Sequence, residues 1–218
     1  MADAATAANK SPVAATDSIA LRPTGPLVNP GASTFMDWKT YIQKTKNKLP
    51  SLLLDEAISH AHIGHALDIG AGNLVDSKKL IEKGFKVVVV DPNVETLQSN
   101  EIEILSKRIE DFKFPSKKFT LINAQYSLPF TEKIATTMQN IYNSLEDGGV
   151  FSGQFFGKED EWNNRDGITT HAREEVESFF DQWQIIKFEE EKRIRGTALH
   201  GDKLWHVFHV IAQKVQQN

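Results

Sequence analysis

The chain has 218 residues, of which 40% are hydrophobic and 25% charged, and its formal net charge is −4. These values are typical of a globular protein with one sizeable core, and they argue against a dominant phosphate-binding face or a nucleic-acid partner. Because cysteine is absent, a disulfide framework, a thiolate nucleophile and a cysteine-ligated metal site are excluded.

The N-terminal segment differs in composition from the rest of the chain. Residues 1–34 are rich in Ala, Thr, Pro, Ser and Asn and poor in large apolar side chains. Such a segment cannot bury enough surface to offset its ordering entropy, so we expect a disordered arm ahead of a single domain at 35–218. The opening residues do not resemble a secretory signal, and no apolar run approaches the roughly 18 residues that span a bilayer. We therefore expect a cytoplasmic protein without a membrane partner.

Two short helices open the domain. They are predicted by the helical spacing of Trp38, Tyr41, Leu49 and Leu52 and are joined near Pro50. Trp38 and Tyr41 could cover a cofactor, but aromatic residues at this spacing are more often part of a core.

Strand and helix patterns then alternate. Strands are predicted at "HALDI", "FKVVVVD", "IEIL", "FTLINA" and "GGVFSGQFF", and helices over 75–82, over 94–99, from Ile134 to the glycines at 148 and 149, and around Val176. The last two strands, "WQIIKFEEE" and "KLWHVFHVIAQK", are joined by a short loop and should pair antiparallel. The alternation predicts an α/β fold with a mostly parallel sheet and a ligand crevice at the carboxyl ends of the first strands.

The stretch "HALDIGAGNLVDS" carries the clearest chemical signal. Gly70 and Gly72 allow a ligand to lie against the turn after the first strand, while Val75 stands where a dinucleotide site would have a third glycine. That third glycine keeps the helix close to the strand when a pyrophosphate sits on the helix N-terminus. A β-branched residue there favours a ligand without a diphosphate.

Two carboxylates refine this interpretation. Asp91 ends the second predicted strand, where it can accept hydrogen bonds from both hydroxyls of a ribose. Asp68 lies two residues before Gly70, where it would repel a pyrophosphate but attract the amino group of a cationic ligand. Together these residues favour S-adenosyl-L-methionine over NAD.

The stretch "LDIGAGNLVDSKKLIEKGFKVVVVDPN" resembles the first two motifs of class I S-adenosylmethionine-dependent methyltransferases. The loop and the C-terminal "GTALHGDKLWHVFHVIAQK" resemble small-molecule enzymes near the tellurite-resistance methyltransferases. The resemblance implies a Rossmann-like, seven-stranded sheet with an antiparallel last strand and helices on both faces. It also implies a cofactor site formed by these residues: Asp68, Gly70, Ala71, Gly72, Asp91, Pro92, Ile109 and Asn123. The family often has an acidic residue at the adenine where this chain has Arg108, so adenine contact falls to Ile109 and Glu110.

Candidates for substrate handling are few. Tyr126 follows the fourth predicted strand in "LINAQYSLPF", a stretch that weakly resembles the motif of amino-group methyltransferases. His171 lies in a loop near the start of a helix. Either could serve as a base, although strand-end and helix-capping roles are the more frequent ones for such positions. Arg193 and Arg195 lie in the last hairpin, where they could attract an anionic substrate. The histidine spacings do not resemble a metal site.

Three functions stay open on this sequence. The first is methyl transfer from S-adenosylmethionine to a small-molecule acceptor, which needs alignment more than it needs a catalytic dyad. The second is a methyltransferase-like binding scaffold without catalysis. The third, an NAD(P)-dependent oxidoreductase, is disfavoured by Asp68 and Val75.

Overall fold

The computed structural model describes residues 37–94 and 102–215. The predicted N-terminal arm and nearly all of the helix predicted at 94–99 lie outside these residues. The described helices are α1 (Trp38–Thr45), α2 (Leu52–His60), α3 (Val75–Glu82), α4 (Ile134–Ser144) and α5 (Arg173–Ser178). The strands are β1 (His65–Ile69), β2 (Lys86–Val90), β3 (Ile102–Leu105), β4 (Phe119–Ala124), β5 (Leu145–Gly157), β6 (Thr170–His171), β7 (Trp183–Gly196) and β8 (Asp202–Lys214).

One sheet runs through the described residues in the order β3-β2-β1-β4-β5-β8-β7. The pairs among β1 to β5 are parallel, whereas β8 pairs antiparallel with both β5 and β7. The predicted Rossmann-like sheet with an antiparallel last strand is therefore confirmed. The sequence did not reveal β6, a two-residue strand that pairs with the end of β5.

The sheet is buried on both faces because helices cover each side. Along β2, Val87 and Val89 pack with α2 and α3, while Val88 and Val90 belong to the core that includes α4 and α5. This alternation follows from the two-residue period of a strand. A run of four valines is thus the sequence signature of an inner parallel strand.

The C-terminal end of α4 differs from the prediction. The helix ends at Ser144, and Leu145 begins β5, so the helix does not continue to the glycines. The loop before β4 forms hydrogen bonds with the last turn of α4. The amide of Lys117 donates to the carbonyl of Asn143, and the hydroxyl of Ser144 donates to the carbonyl of Pro115 at 2.6 Å. These contacts are distant in sequence, so the local apolar period could not indicate them.

Candidate functional site

A cavity of about 670 Å³ opens at the carboxyl ends of the central strands. Its wall is formed by Gly70 after β1, Asp91 after β2, Tyr126 after β4 and Phe156 near the end of β5, with α1 along one side. A second cavity of about 50 Å³ adjoins it and is lined by Asp68, Ala71 and Asp76 among others. Both lie in the crevice that a parallel α/β sheet forms where its strand order reverses.

The glycine loop is held in a shape that other residues would strain. Gly70 has φ +70°, and a Cβ added there would lie 2.3 Å from Cβ of Ser127 in the loop after β4. Gly72 has φ +53°, and Leu74, which precedes α3, also has a positive φ of 63°. The loop therefore approaches its neighbours closely while its backbone faces the cavity.

Asp91 connects the second strand to this loop. Its Oδ2 accepts a hydrogen bond from the amide of Gly72 at 2.8 Å, and its Oδ1 accepts one from the amide of Asn93 at 2.6 Å. The carboxyl lines the larger cavity yet the residue is only 5% exposed. Burial raises the pKa of Asp91, and the amide donors act in the opposite direction. A carboxylate fixed in this way has lone pairs left for ligand hydroxyls.

Asp68 is fully enclosed beside the smaller cavity. Its Oδ2 accepts from the hydroxyl of Ser77 at 2.5 Å, and its Oδ1 accepts from the amide of Asn123 at 2.9 Å. Burial, and after it the neighbouring carboxylate of Asp76, raises the pKa of Asp68 to about 7. The pKa of Asp76 is itself raised by burial. Two carboxyls at one small cavity form an environment that a cation would stabilise.

A chain of buried polar side chains leads from Asp68 toward the large cavity. The amide of Gln125 donates to Oδ1 of Asn123 at 2.7 Å and to Oγ of Ser152 at 3.0 Å. Gln154 donates to Oε1 of Gln125 at 2.7 Å and accepts from the backbone amide of Tyr126 at 2.9 Å. This network holds Tyr126 in the left-handed region, at φ 55°. It fixes the geometry of the loop after β4.

The loop after β3 forms another part of the large cavity. Pro92 and Ile109 line it together with Arg108 and Glu110. Arg108 pairs with Oε1 of Glu132 at 2.9 Å and with Oε2 of Glu110 at 3.3 Å. The hydrogen bond to Glu132 raises the pKa of the guanidinium. The arginine that replaces the expected acidic residue is thus held by neighbouring carboxylates.

Aromatic and basic residues form the opposite end of the large cavity. Arg195 from β7 donates through Nη2 to Oη of Tyr126 at 2.7 Å, and its guanidinium lies 4.8 Å from the ring centre of Trp205. Phe156 and Trp162 complete this wall. Burial raises the pKa of Tyr126, while Arg195 acts to lower it. The phenol is therefore neutral at physiological pH and can donate a hydrogen bond.

A buried ion pair holds the same wall from behind. Nζ of Lys203 contacts Oδ1 of Asp160 and lies 4.0 Å from the ring centre of Trp162 and 4.1 Å from that of Trp205. Asp160 also accepts from the amides of Trp162 and His206. These contacts join the loop that carries Trp162 to β8. The two buried charges stabilise each other, because a buried ion without its partner is strongly destabilising.

The structure brings most of the predicted site residues together. Gly70, Gly72, Asp91, Pro92, Ile109 and Tyr126 line the large cavity, and Asp68 and Ala71 line the small one. Asn123 is completely buried and lines neither, and its side-chain amide donates to Asp68. His171 also lines neither cavity, and its ring lies edge-on to Phe155 and Phe179. The geometry therefore gives no support to His171 as a base.

Several features of the site were not predicted from the sequence, or were predicted incorrectly. Trp38 and Tyr41 line the large cavity and are not fully buried, so the expectation that they form part of the core is wrong. Lys48, Phe156 and Trp205 also line it, and no local signal marked them. A signal did exist for Ser152 and Gln154, which alternate with apolar residues in "GGVFSGQFF". A polar residue on a face that packs inward indicates a network or a site.

Comparison with known proteins agrees with this geometry. Residues 67–152, from β1 into β5, match the family model described as a methyltransferase domain. Over this segment the chain is similar to that family. No curated protein matches the chain.

Solved structures of methyltransferases share the fold at low sequence identity. A SAM-dependent methyltransferase of Methanosarcina mazei is 16% identical, with a TM-score of 0.58 over 78% of this chain and 100% of that one. The Burkholderia thailandensis 1,6-didemethyltoxoflavin-N1-methyltransferase, solved with S-adenosylhomocysteine, is 15% identical, with a TM-score of 0.58 over 76% and 79%. TehB of Haemophilus influenzae, a tellurite-resistance methyltransferase, is 15% identical, with a TM-score of 0.60 over 74% and 61%.

In the part of the chain that the structure describes, none of the helices is long and apolar enough to cross a membrane. Across residues 37–94 and 102–215, no three His, Asp or Glu side chains are grouped so that they could hold a metal ion.

Proposed function

We propose that this protein transfers a methyl group from S-adenosyl-L-methionine to a small-molecule acceptor in the cytoplasm. The observation that carries the proposal is the pair of acidic positions around the glycine loop. Asp91 is fixed at the large cavity by the amide of Gly72, and Asp68 lies with Asp76 at the small one. One position suits a ribose and the other suits an ammonium group.

The residues present fit the nucleoside part of this cofactor. A Cβ at Gly72 would have Tyr41 at 4.0 Å as its nearest neighbour, so the loop backbone there is open toward the cavity. Asp91 would accept from the ribose hydroxyls, and Ile109 with Pro92 would contact the adenine beside Arg108 and Glu110. Among these side chains, those of Asp91 and Arg108 are already held by hydrogen bonds within the protein.

The residues also fit the amino-acid part. The small cavity offers Asp68 and Asp76 to an ammonium group. A pyrophosphate would instead meet these two carboxyls, which opposes the NAD(P) alternative.

When bound, S-adenosylmethionine supplies an electrophilic methyl carbon, which the acceptor's lone pair attacks while the electron pair of the carbon–sulfur bond stays on sulfur. The contribution of this chain is alignment and exclusion of water. Trp38 and Tyr41 on α1 cover one side of the cavity, and Tyr126 lies at the junction of its two ends. A proton must be removed only if the acceptor's nucleophilic atom arrives protonated.

A small acceptor is supported by the shape of the site. The end of the cavity that contains Tyr126 is bounded by Phe156, Trp162 and Trp205, and its aromatic lining suits a compact molecule. The net charge of −4 offers little attraction to a nucleic acid. The lack of cysteine is compatible with the cytoplasm.

Calorimetric titration with S-adenosylhomocysteine, with NADH in parallel, tests the cofactor assignment. We expect saturable binding of the adenosyl compound and none of NADH. Binding of NADH alone would instead favour the oxidoreductase alternative. If the adenosyl compound binds and no acceptor in a broad screen receives a labelled methyl group, the scaffold alternative is favoured.

A further inference from the structure

We infer that the methyl acceptor is a planar molecule that carries an anionic group, held by Arg195 together with Lys48 against the aromatic end of the cavity. This inference rests on the proposed function, because it assigns the other end of the same cavity to the cofactor. It adds a substrate class and two residues that determine specificity.

The carboxylates lining the large cavity lie at one of its ends. They are Asp91 and Glu110, which follow β2 and β3 at the cofactor end, where Arg108 pairs with Glu110. At the other end, the described lining contains Lys48 and Arg195 but no Asp or Glu. An anion would therefore be attracted to the end that the cofactor leaves open.

The guanidinium of Arg195 has an unused hydrogen-bond donor. Within the described residues, its Nη2 donates to Oη of Tyr126, whereas its Nε is buried and has no hydrogen-bond partner. A buried donor without a partner is costly, and a ligand oxygen would remove that cost. An arginine edge suits a carboxylate or a similar planar anion.

Lys48 adds a second positive charge nearby. Its Nζ lies 5.6 Å from the ring centre of Tyr126, on which Arg195 also lies at 5.7 Å. Although much of the lysine side chain is exposed, desolvation of the ammonium lowers the pKa of Lys48, Asp76 opposes this shift, and Arg195 adds to it. An anion between the two cations would relieve their repulsion.

The wall behind these cations is aromatic. Trp205 packs edge-to-face with Phe156 and with Tyr126, with ring centres 5.8 Å apart in each pair. Two cations already lie on this wall: Nζ of Lys203 is 4.1 Å from the ring centre of Trp205, and the guanidinium of Arg195 is 4.8 Å from it. A further cation is thus disfavoured there, whereas an aromatic ring of a ligand can pack against these rings.

The test is titration of the full chain, saturated with S-adenosylhomocysteine, with three matched probes: 2-naphthoate, 2-naphthamide and 2-naphthylmethylamine. Benzoate and indole-3-carboxylate serve as smaller and intermediate acids. We expect the acids to bind, the amide to bind more weakly and the amine most weakly. Arg195→Gln should weaken the acids by at least about tenfold, the range for a hydrogen bond to a charged group, and should leave the amide unchanged.

Arg193→Gln is the matched control. It removes the same charge two residues away, from a side chain that is exposed and paired with Glu191 and that does not line the cavity. Affinity for S-adenosylhomocysteine should be equal in the parent and both variants, which also shows that the variants are folded. If Arg195→Gln loses this affinity, Arg195→Lys replaces it; it keeps the charge but lacks the paired N–H edge, so it should still weaken the acids and leave the amide unchanged.

The outcomes separate the two proposals. If S-adenosylhomocysteine does not bind the parent, the proposed function fails. If it binds but none of the acids does, or if the amide or amine binds as tightly as the acid, the inference about the acceptor is wrong. Equal loss of acid affinity in the Arg193 and Arg195 variants would also overturn it, because the effect would then come from net charge.

Discussion

Oδ2 of Asp91 accepts a hydrogen bond from the backbone amide of Gly72 at 2.8 Å, and this bond joins the end of β2 to the loop after β1. The two residues are 19 positions apart in the sequence. Their contact fixes the carboxylate at the edge of the large cavity before any ligand arrives. Such preorganisation lowers the entropy that a ligand must overcome on binding.

Asp91→Asn should lower the affinity for S-adenosylhomocysteine by about 10- to 100-fold, since hydrogen bonds to a charged acceptor become weaker neutral ones. The single amide oxygen of asparagine can still accept from Gly72 but not also from Asn93, so the melting temperature should fall by the equivalent of about 1–3 kcal/mol. Calorimetry and thermal unfolding together check both parts. Asp181→Asn, an exposed position before β7, is the control and should bind like the parent; unchanged affinity in Asp91→Asn would refute the ribose assignment.

The buried carboxyl of Asp68 predicts a pH dependence. Its pKa in the free protein is about 7. An ammonium group in the small cavity stabilises the ionised form, so the ligand binds ionised Asp68 more tightly. Affinity for S-adenosylhomocysteine should therefore be highest above pH 7 and should fall below it by up to about tenfold per pH unit.

Titrations of S-adenosylhomocysteine between pH 6 and pH 8.5 measure this effect, and Asp68→Asn provides the comparison because asparagine does not titrate. The variant should bind weakly and with a flat profile across the range. If it shows the same slope as the parent, then another group is titrating and Asp68 does not face the amino group.

Gly70 predicts a steric effect that can be separated from backbone strain. Gly70 and Gly201 have nearly equal φ values, +70° and +72°, but a Cβ at Gly201 has nothing within 4 Å, whereas one at Gly70 meets Ser127 at 2.3 Å. Gly201→Ala should cost only the left-handed conformation, about 1–2 kcal/mol in the free energy of unfolding. Gly70→Ala should cost clearly more.

Chemical denaturation of both variants measures the difference, and Ser127→Gly is the rescue. The double variant Gly70→Ala with Ser127→Gly should return to the stability of Gly201→Ala, because the contacting Cβ has been removed. If the two single variants lose the same free energy of unfolding, the loop after β4 moves to accommodate a larger residue at position 70 and the steric prediction is wrong.

The ion pair behind the aromatic wall predicts an asymmetric stability effect. Lys203→Met leaves the carboxylate of Asp160 buried without its cation and should lower the free energy of unfolding by about 3 kcal/mol or more. Adding Asp160→Asn should restore part of this loss, since the uncompensated charge disappears. Denaturation curves of the single and double variants give the comparison.

Lys192→Met is the surface control for that experiment. Lys192 pairs with Glu159 at 2.6 Å, but both side chains are largely exposed, at 42% and 63%. Solvent screens such pairs, so the loss should stay within about 1 kcal/mol. A similar loss in both variants would show that the Lys203 pair is screened as well.

The sequence predicted those parts of the site that depend on local rules. The helix over Val75–Glu82, the strand before the glycines and the carboxylate at the end of β2 all follow from patterns within about 25 residues. The position of Asp68 was predicted, but its partners Ser77 and Asn123 depend on how α3 and β4 pack on β1. Side-chain networks of that kind arise from tertiary structure.

The aromatic end of the cavity shows why the remainder could not be predicted. Arg195 and Trp205 lie ten positions apart on β7 and β8, and the register of that hairpin decides which of their faces points into the cavity. A shift of one residue would turn both side chains away. Trp38 and Tyr41 were ambiguous for a related reason, because helical spacing alone does not distinguish a core from a cavity wall.

Because the β7–β8 hairpin forms one end of the cavity, residues at that end can change in evolution while those at the other end stay the same. The end assigned to the cofactor includes residues up to Glu110, whereas Arg195 and Trp205 belong to strands at the far side of the sheet. Under the proposed function, exchanging residues in this hairpin would change which acceptor is bound without altering the glycine loop or Asp91. Variants with new acceptors should therefore be found by randomising the hairpin, with the cofactor half left intact as a fixed platform.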